Sequence, residues 1–170
     1  QIEHIGAASG IENNALHLAF CAVSKEDKDN TGVYLLSAKF SQGQFSSKEV
    51  RKISQFPGVH FAPSWTGDSR QVLTYLHEPS GNLSISRIST QDAKEDIVSR
   101  PGIVRMLPMQ EHRFQGPQIV ENKLLYTWQE KKESPVTVLV TDITTEHTQS
   151  LLDSQNSLLF QESEQESLSP

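Results

Sequence analysis

One short pattern recurs along the chain: a turn holding Asn, Asp or Gly, then an apolar strand that ends in an aromatic residue. Its copies occupy residues 13–20, 67–75, 121–126 and 153–160 and end on Phe20, Tyr75, Tyr126 and Phe160. A repeated supersecondary unit cannot bury its own apolar face, so neighbouring copies must stack on one another. The residues after each of the first three copies also recur. A polar loop (25–32, 77–82, 129–135) leads to a second strand, alternating or β-branched (33–38, 83–88, 136–143). In the middle copy Leu83 and Ile85 alternate with Ser84 and Ser86, the mark of a half-buried strand. A further turn leads to a short segment (50–54, 95–99, 150–153), and Pro57-Gly58 and Pro101-Gly102 end the first two units. Ala62-Pro63-Ser64-Trp65 and Gly116-Pro117-Gln118-Ile119 open the second and third.

Four strands in a repeat of roughly 45 to 55 residues is the arithmetic of a propeller blade. A sustained 3.6-residue apolar period is missing, so no helix is predicted. The segment Phe61-Ala62-Pro63-Ser64-Trp65-Thr66-Gly67-Asp68-Ser69-Arg70-Gln71-Val72-Leu73-Thr74-Tyr75 resembles a TolB-type, WD40-like (PD40) propeller repeat. In that family a blade opens with Pro-x-Trp, turns through small residues with Asp-Gly character, and continues in an apolar strand ending in an aromatic. Here the turn reads Thr66-Gly67-Asp68, with the order reversed. The third repeat keeps the proline, an apolar residue and the polar turn Glu121-Asn122, and the first keeps less, Ile11-Glu12-Asn13-Asn14.

The expected fold is all-β, with β-propeller-like repeats of four-stranded antiparallel blades. Residues 1–10 read as an N-terminal strand or linker. Repeats fill 11–56, 57–102 and 103–155, a fourth opens at 156, and 161–170 form an acidic polar tail or loop. Three full blades and part of a fourth fall short of the four to eight that close a ring, so a partial propeller is expected. The chain is then either a piece of a longer protein, or residues 1–5 pair with the terminal strand. The start residue Gln1 is in keeping with the first reading.

Composition excludes several classes. The formal charge of −6 gives no electrostatic footprint for nucleic acid or an anionic membrane. No window approaches the ~18 consecutive apolar residues of a membrane helix, so no membrane insertion is expected. No targeting signal is visible. The single cysteine, Cys21, makes an intrachain disulfide impossible and reads as a buried strand residue.

Chemistry-bearing motifs are sparse. Gly-x-Ser-x-Gly, which a serine hydrolase of the α/β type would carry, does not occur, and no catalytic residue is assigned. The six histidines are scattered singly, without His-x-His or Cys-x-x-Cys, so no metal site and no cofactor is expected. Asp27-Lys28-Asp29-Asn30 alternates oxygen ligands but lacks the glycine and terminal glutamate of a calcium loop, and reads as an exposed hairpin tip. His60-Phe61 and His112-Arg113-Phe114 hold similar places ahead of the blade-opening prolines, on the strand that lines the channel in a propeller. With Trp65 and Trp128 they form the candidate ligand or partner contacts: His60, Phe61, Trp65, His112, Arg113, Phe114 and Trp128. The plainer reading of the recurring aromatics, Trp65, Tyr75, Tyr126, Trp128 and Phe160, is packing of one blade on the next.

The resemblance implies a non-catalytic protein- or ligand-binding module with a protein partner, placed outside the cytoplasm, in the periplasm. Two narrower readings come with it: the extracytoplasmic sensor segment of a membrane-anchored ToxR/CadC-type transcription regulator, and the accessory propeller of an oligopeptidase. Open blade edges also make self-association an expectation.

Overall fold

The computed structural model describes residues 2–12, 15–26, 30–103, 116–129 and 136–151, and there every regular element is a β-strand. Strands β1 (Ile2–Glu12), β2 (Ala15–Val23), β3 (Thr31–Ser41) and β4 (Gln44–Lys52) form an antiparallel meander. The second meander is β5 (Val59–Trp65), β6 (Gln71–His77), β7 (Asn82–Ser89) and β8 (Glu95–Ile103). The third is β9 (Gln118–Val120), β10 (Lys123–Trp128), β11 (Thr137–Asp142) and β12 (Thr148–Ser150). A lone parallel bridge between Thr31 and Val59 joins the first two meanders into one sheet, and the third is a sheet of its own. These are blades of a partial propeller: the described strands do not close into a ring. The fourth opening strand at 157–160 and the acidic tail lie outside the described residues, as does most of the Asp27-Lys28-Asp29-Asn30 tip.

The local chemistry explains the turns. The β3–β4 hairpin closes on Gln42 and Gly43, with φ of 51° and 79°, the two positive angles of a type I′ turn. Between β5 and β6 the Thr66 hydroxyl donates to the Asp68 carboxylate at 2.6 Å, which also accepts the Arg70 N–H at 3.1 Å. The left-handed residue of this turn is Ser69, with φ of 57°. Asp68-Ser69 therefore holds the place of the family's Asp-Gly, and the reversal read from Gly67-Asp68 is a matter of alignment, not of geometry. The Thr66 hydrogen bond and the Arg70 N–H hold the Asp68 carboxyl below its usual range.

Blades stack face to face, with the middle one buried on both sides. All of Val72 to Leu76 on β6 is buried, as a strand packed on two faces requires. Val72 and Ile88 turn back onto Ala19, Cys21, Val33, Leu35 and Ile53 of the first blade. Leu73, Tyr75, Leu83 and Ile85, with Phe61, turn forward onto Leu124 and Tyr126 of the third. Tyr75 and Tyr126, matched by the repeat pattern, thus lie on opposite faces of their own blades and meet in one interface. The alignment is one residue out, and a one-residue slip in a strand exchanges its faces.

A second parity change lies in β5. Phe61 pairs with Tyr75, but the next pairs are Ser64 with Leu73 and Trp65 with Val72, across a bulge at Ala62-Pro63. Ala62 has φ of 48°. The extra residue sends Phe61 forward and Trp65 back, although four residues of plain strand would have kept them on one face.

Pro57-Gly58 lies between the first two blades, as a breaker should. Pro101-Gly102 does not: it sits inside β8, where the register shifts between Leu83–Gly102 and Ile85–Ser99. An edge strand tolerates the missing N–H of proline at such a bulge.

Candidate functional site

The sequence-predicted contacts do not assemble into one site. His60 leaves β5 toward the first blade and is 1% exposed. Its Nδ1–H donates to the Thr31 carbonyl at 2.8 Å, and its Nε2 lies 2.8 Å from Oε1 of Glu95, with one proton between them. The other carboxylate oxygen accepts the N–H groups of Gln55 and Phe56 at 2.5 and 2.8 Å. Burial raises the Glu95 carboxyl, but the hydrogen bond and charge of His60 and the two backbone N–H groups outweigh it and hold it below its usual range. This buried group ties β3, β5, β8 and the inter-blade linker together.

Phe61 is fully buried and stacks on Tyr75, ring centroids 5.0 Å apart. Trp128 borders the same interface, and its ring lies so close to Gly102 that a Cβ there would come within 3.0 Å of Cη2. Trp65 borders the opposite interface, and its indole N–H is buried with no hydrogen-bond partner among the described residues. Phe61 and Trp128 thus share one interface while His60 and Trp65 face the other. His112, Arg113 and Phe114 lie outside the described residues. Among the described residues no three His, Cys, Asp or Glu side chains come together as a metal-binding group.

One open feature among the described residues is a cleft of about 400 Å³ between the second and third blades. One wall is β8, from Ile97 to Pro101; the other is formed by β10–β12. Val98 on one side and Leu139 and Ile143 on the other give the cleft an apolar part. Along the third blade runs a row of hydroxyls: Tyr126 OH to Thr141 Oγ1 at 3.0 Å, and Thr141 Oγ1 to Thr148 Oγ1 at 2.7 Å. Arg100 and Glu146 stand at its rim. The Arg100 side chain is 56% exposed and its Nε–H donates to Glu78 at 3.1 Å.

The inner end of this interface is sealed. The Tyr75 hydroxyl accepts the Thr127 N–H at 2.8 Å and lies 3.0 Å from its carbonyl and 2.9 Å from its hydroxyl. Burial pushes the Tyr75 phenol well above its usual range, so it stays a neutral tie between blades. The Ser64 hydroxyl donates to the Pro117 carbonyl nearby. The cleft therefore has a rigid base and an open rim. It can take an extended chain or a small molecule with an aliphatic part for the wall and an acidic group for Arg100.

Sequence reasoning singled out none of Ile97, Arg100, Leu139, Thr141, Glu146 and Thr148. They come from two blades, and no spacing within one repeat relates them. Strand alternation puts Leu139 and Thr141 on one face, which is as much of the site as a period of two can show.

No family model matches the sequence, and no curated protein does. Among solved structures the chain is similar to a TolB-type protein from Agrobacterium tumefaciens, at 13% identity and a TM-score of 0.55 over 81% of this chain and 45% of that one. It is also similar to TolB from Acinetobacter baumannii (13% identity, TM-score 0.46, 89% of this chain and 43% of that one). A third likeness is to the β-propeller domain of the Trilobed protease from Pyrococcus furiosus (9% identity, TM-score 0.47, 88% and 42%). The chain spans less than half the length of each. At such identity the likeness is one of fold: the chain is built as blades of a TolB-like β-propeller.

Proposed function

We propose that this chain is a non-catalytic binding module whose inter-blade cleft takes an extended, acid-bearing aliphatic segment of a partner protein. The observation that carries it is the cleft itself: apolar side chains from both blades, a row of hydroxyls and the half-exposed, Glu78-paired Arg100 line one groove. The tightly paired acid–base couple His60–Glu95, by contrast, has 0% side-chain exposure at both partners, so no substrate reaches it. The resemblance of residues 61–75 to TolB-type repeats supports a protein partner and an extracytoplasmic setting. Among the described residues no helix is long and apolar enough to cross a membrane.

The test is to pan a random-peptide display library against the chain and measure the enriched peptides by titration calorimetry. Peptides pairing an aliphatic residue with a carboxylate are expected to bind. Arg100→Glu and Leu139→Glu should each weaken them about tenfold or more, ~1.4 kcal/mol, with Trp65→Ala neutral. Peptides that bind both cleft variants as well as the parent place the site elsewhere and sink the proposal.

A further inference from the structure

The outer strand of the second blade is bulged twice where it borders the cleft. Ser86 pairs with Ile97, Ile85 with Ser99 and Leu83 with Gly102, so β8 sets residues 97–102 against residues 83–86 of β7, with one extra residue in each step. Bulges of this kind twist an edge strand and re-aim its side chains. The bulged stretch carries Ile97 and Arg100, and both line a second recess besides the cleft. This pocket, of about 110 Å³, opens on the other side of the second blade, since Leu76 in its wall shares a face with Val72, which looks back to the first blade. Phe56 and Pro57 of the β4–β5 linker and Pro79 of the β6–β7 turn complete the apolar wall. Both sides are held in place. The Glu95 carboxylate accepts the Gln55 and Phe56 N–H groups. The Glu78 N–H donates to the Asn82 carbonyl at 2.8 Å, and the Glu78 carboxylate accepts the Ser84 hydroxyl and the Arg100 Nε–H. The mouth is accessible: Phe56 is 37% exposed, and Pro79 is exposed as well.

Resting on the cleft reading, we infer that the partner segment crosses β8 and seats a second aliphatic side chain in this pocket, with its acid at Arg100 between the two apolar anchors. The partner is thereby given a sequence class: an acidic residue flanked on both sides by aliphatic ones. Ile97 and Arg100 make the two recesses neighbours, which places the cation of the rim between them. The volume suits one side chain, as an apolar cavity of ~150 Å³ takes up a benzene ring. Among the described residues Glu78 and Arg100 are the charged groups of this pocket, and they are paired with each other. An uncharged side chain is therefore the occupant that buries no unpaired charge there. Because linker and turn are already held, seating it costs little further ordering of the protein.

The experiment pans a random-peptide display library against the full chain and against Phe56→Ser, then measures synthetic copies of the enriched peptides by titration calorimetry. Peptides enriched on the parent are expected to carry an acid between two aliphatic residues, and those enriched on Phe56→Ser to keep the acid and one aliphatic residue. Phe56→Ser is expected to weaken the parent's peptides about tenfold. Changing one of the two aliphatic residues of the peptide to Ser should cost the parent the same factor and cost Phe56→Ser nothing further, since both changes remove one contact. Circular dichroism checks that the variant keeps its strands, and Pro79→Ser replaces it if it unfolds. Full-strength binding by Phe56→Ser of peptides that Arg100→Glu and Leu139→Glu weaken overturns the second anchor and leaves the cleft reading standing. Peptides indifferent to all three variants overturn both. A loss in Phe56→Ser that simply adds to the loss from either Ser-substituted peptide also overturns the second anchor, because Phe56 then acts without touching the segment.

Discussion

At the scale of single residues, His60 shows how burial changes the meaning of a side chain. From its place before Pro63 it is a candidate contact; in the fold both ring nitrogens are engaged and Glu95 is fully enclosed with it. Because Glu95 titrates below the usual 4.5 in the folded chain, its contribution to stability is complete above that pH and is lost as pH falls through the folded value. Glu95→Gln puts an amide where a carboxylate met two N–H donors and the His60 proton. We expect it to cost about 3–5 kcal/mol at neutral pH and to flatten the acid limb of stability, read by urea unfolding from about pH 7 to 3. An acid limb unchanged in the variant would show that other carboxylates carry it. Asp142, at the end of β11, is shifted by local partners instead: the Lys123 ammonium and the Thr144 and Thr145 N–H groups pull its carboxyl down to about 2. The residue types of both sites are plain in the sequence. Their partners are not, because His60 and Glu95 meet across four elements.

At the scale of elements, the linkers and bulges decide where side chains go. Gly58 has φ of 126°, accepts the Thr31 N–H on its carbonyl at 3.0 Å, and donates its own N–H to the Asn30 side chain at 2.5 Å. A Cβ there would lie 2.3 Å from the His77 carbonyl oxygen. Gly58→Ala therefore combines backbone strain with a clash against main chain, and we expect it to lower stability by at least about 2 kcal/mol in thermal or urea unfolding. A variant as stable as the parent would mean that the β4–β5 linker shifts freely. Pro57-Gly58 is legible as a breaker because its chemistry is local. The bulge at Ala62-Pro63 is not, since nothing in the alternation of residues 59–65 announces an extra residue; Phe61 and Trp65 read as one face and are two.

At the scale of the molecule, the blades are unequal. The second is flanked on both sides, whereas the third has strands β9 and β12 of three residues each and, among the described residues, packs on one neighbour. Hydrogen exchange should therefore be slowest in β6 and β7 and fastest in β9–β12. Tyr75→Phe removes the hydroxyl that holds the Thr127 backbone, at about 1 kcal/mol, and should speed exchange in β10 while leaving β2 and β3 unchanged. Uniform exchange across the three blades would show that they open as one unit and that the Tyr75 tie is not a boundary.

The four-strand unit and the absence of helices among the described residues are determined by the sequence alone. Turn chemistry and a period of two are local properties that any isolated stretch of the chain carries. Which face of each strand is inward, which histidine is sealed and where a groove opens were decided by tertiary structure. A bulge or a one-residue offset costs little locally but exchanges the two faces of a strand. The cleft lies between two separately encoded blades, and no single repeat holds that information.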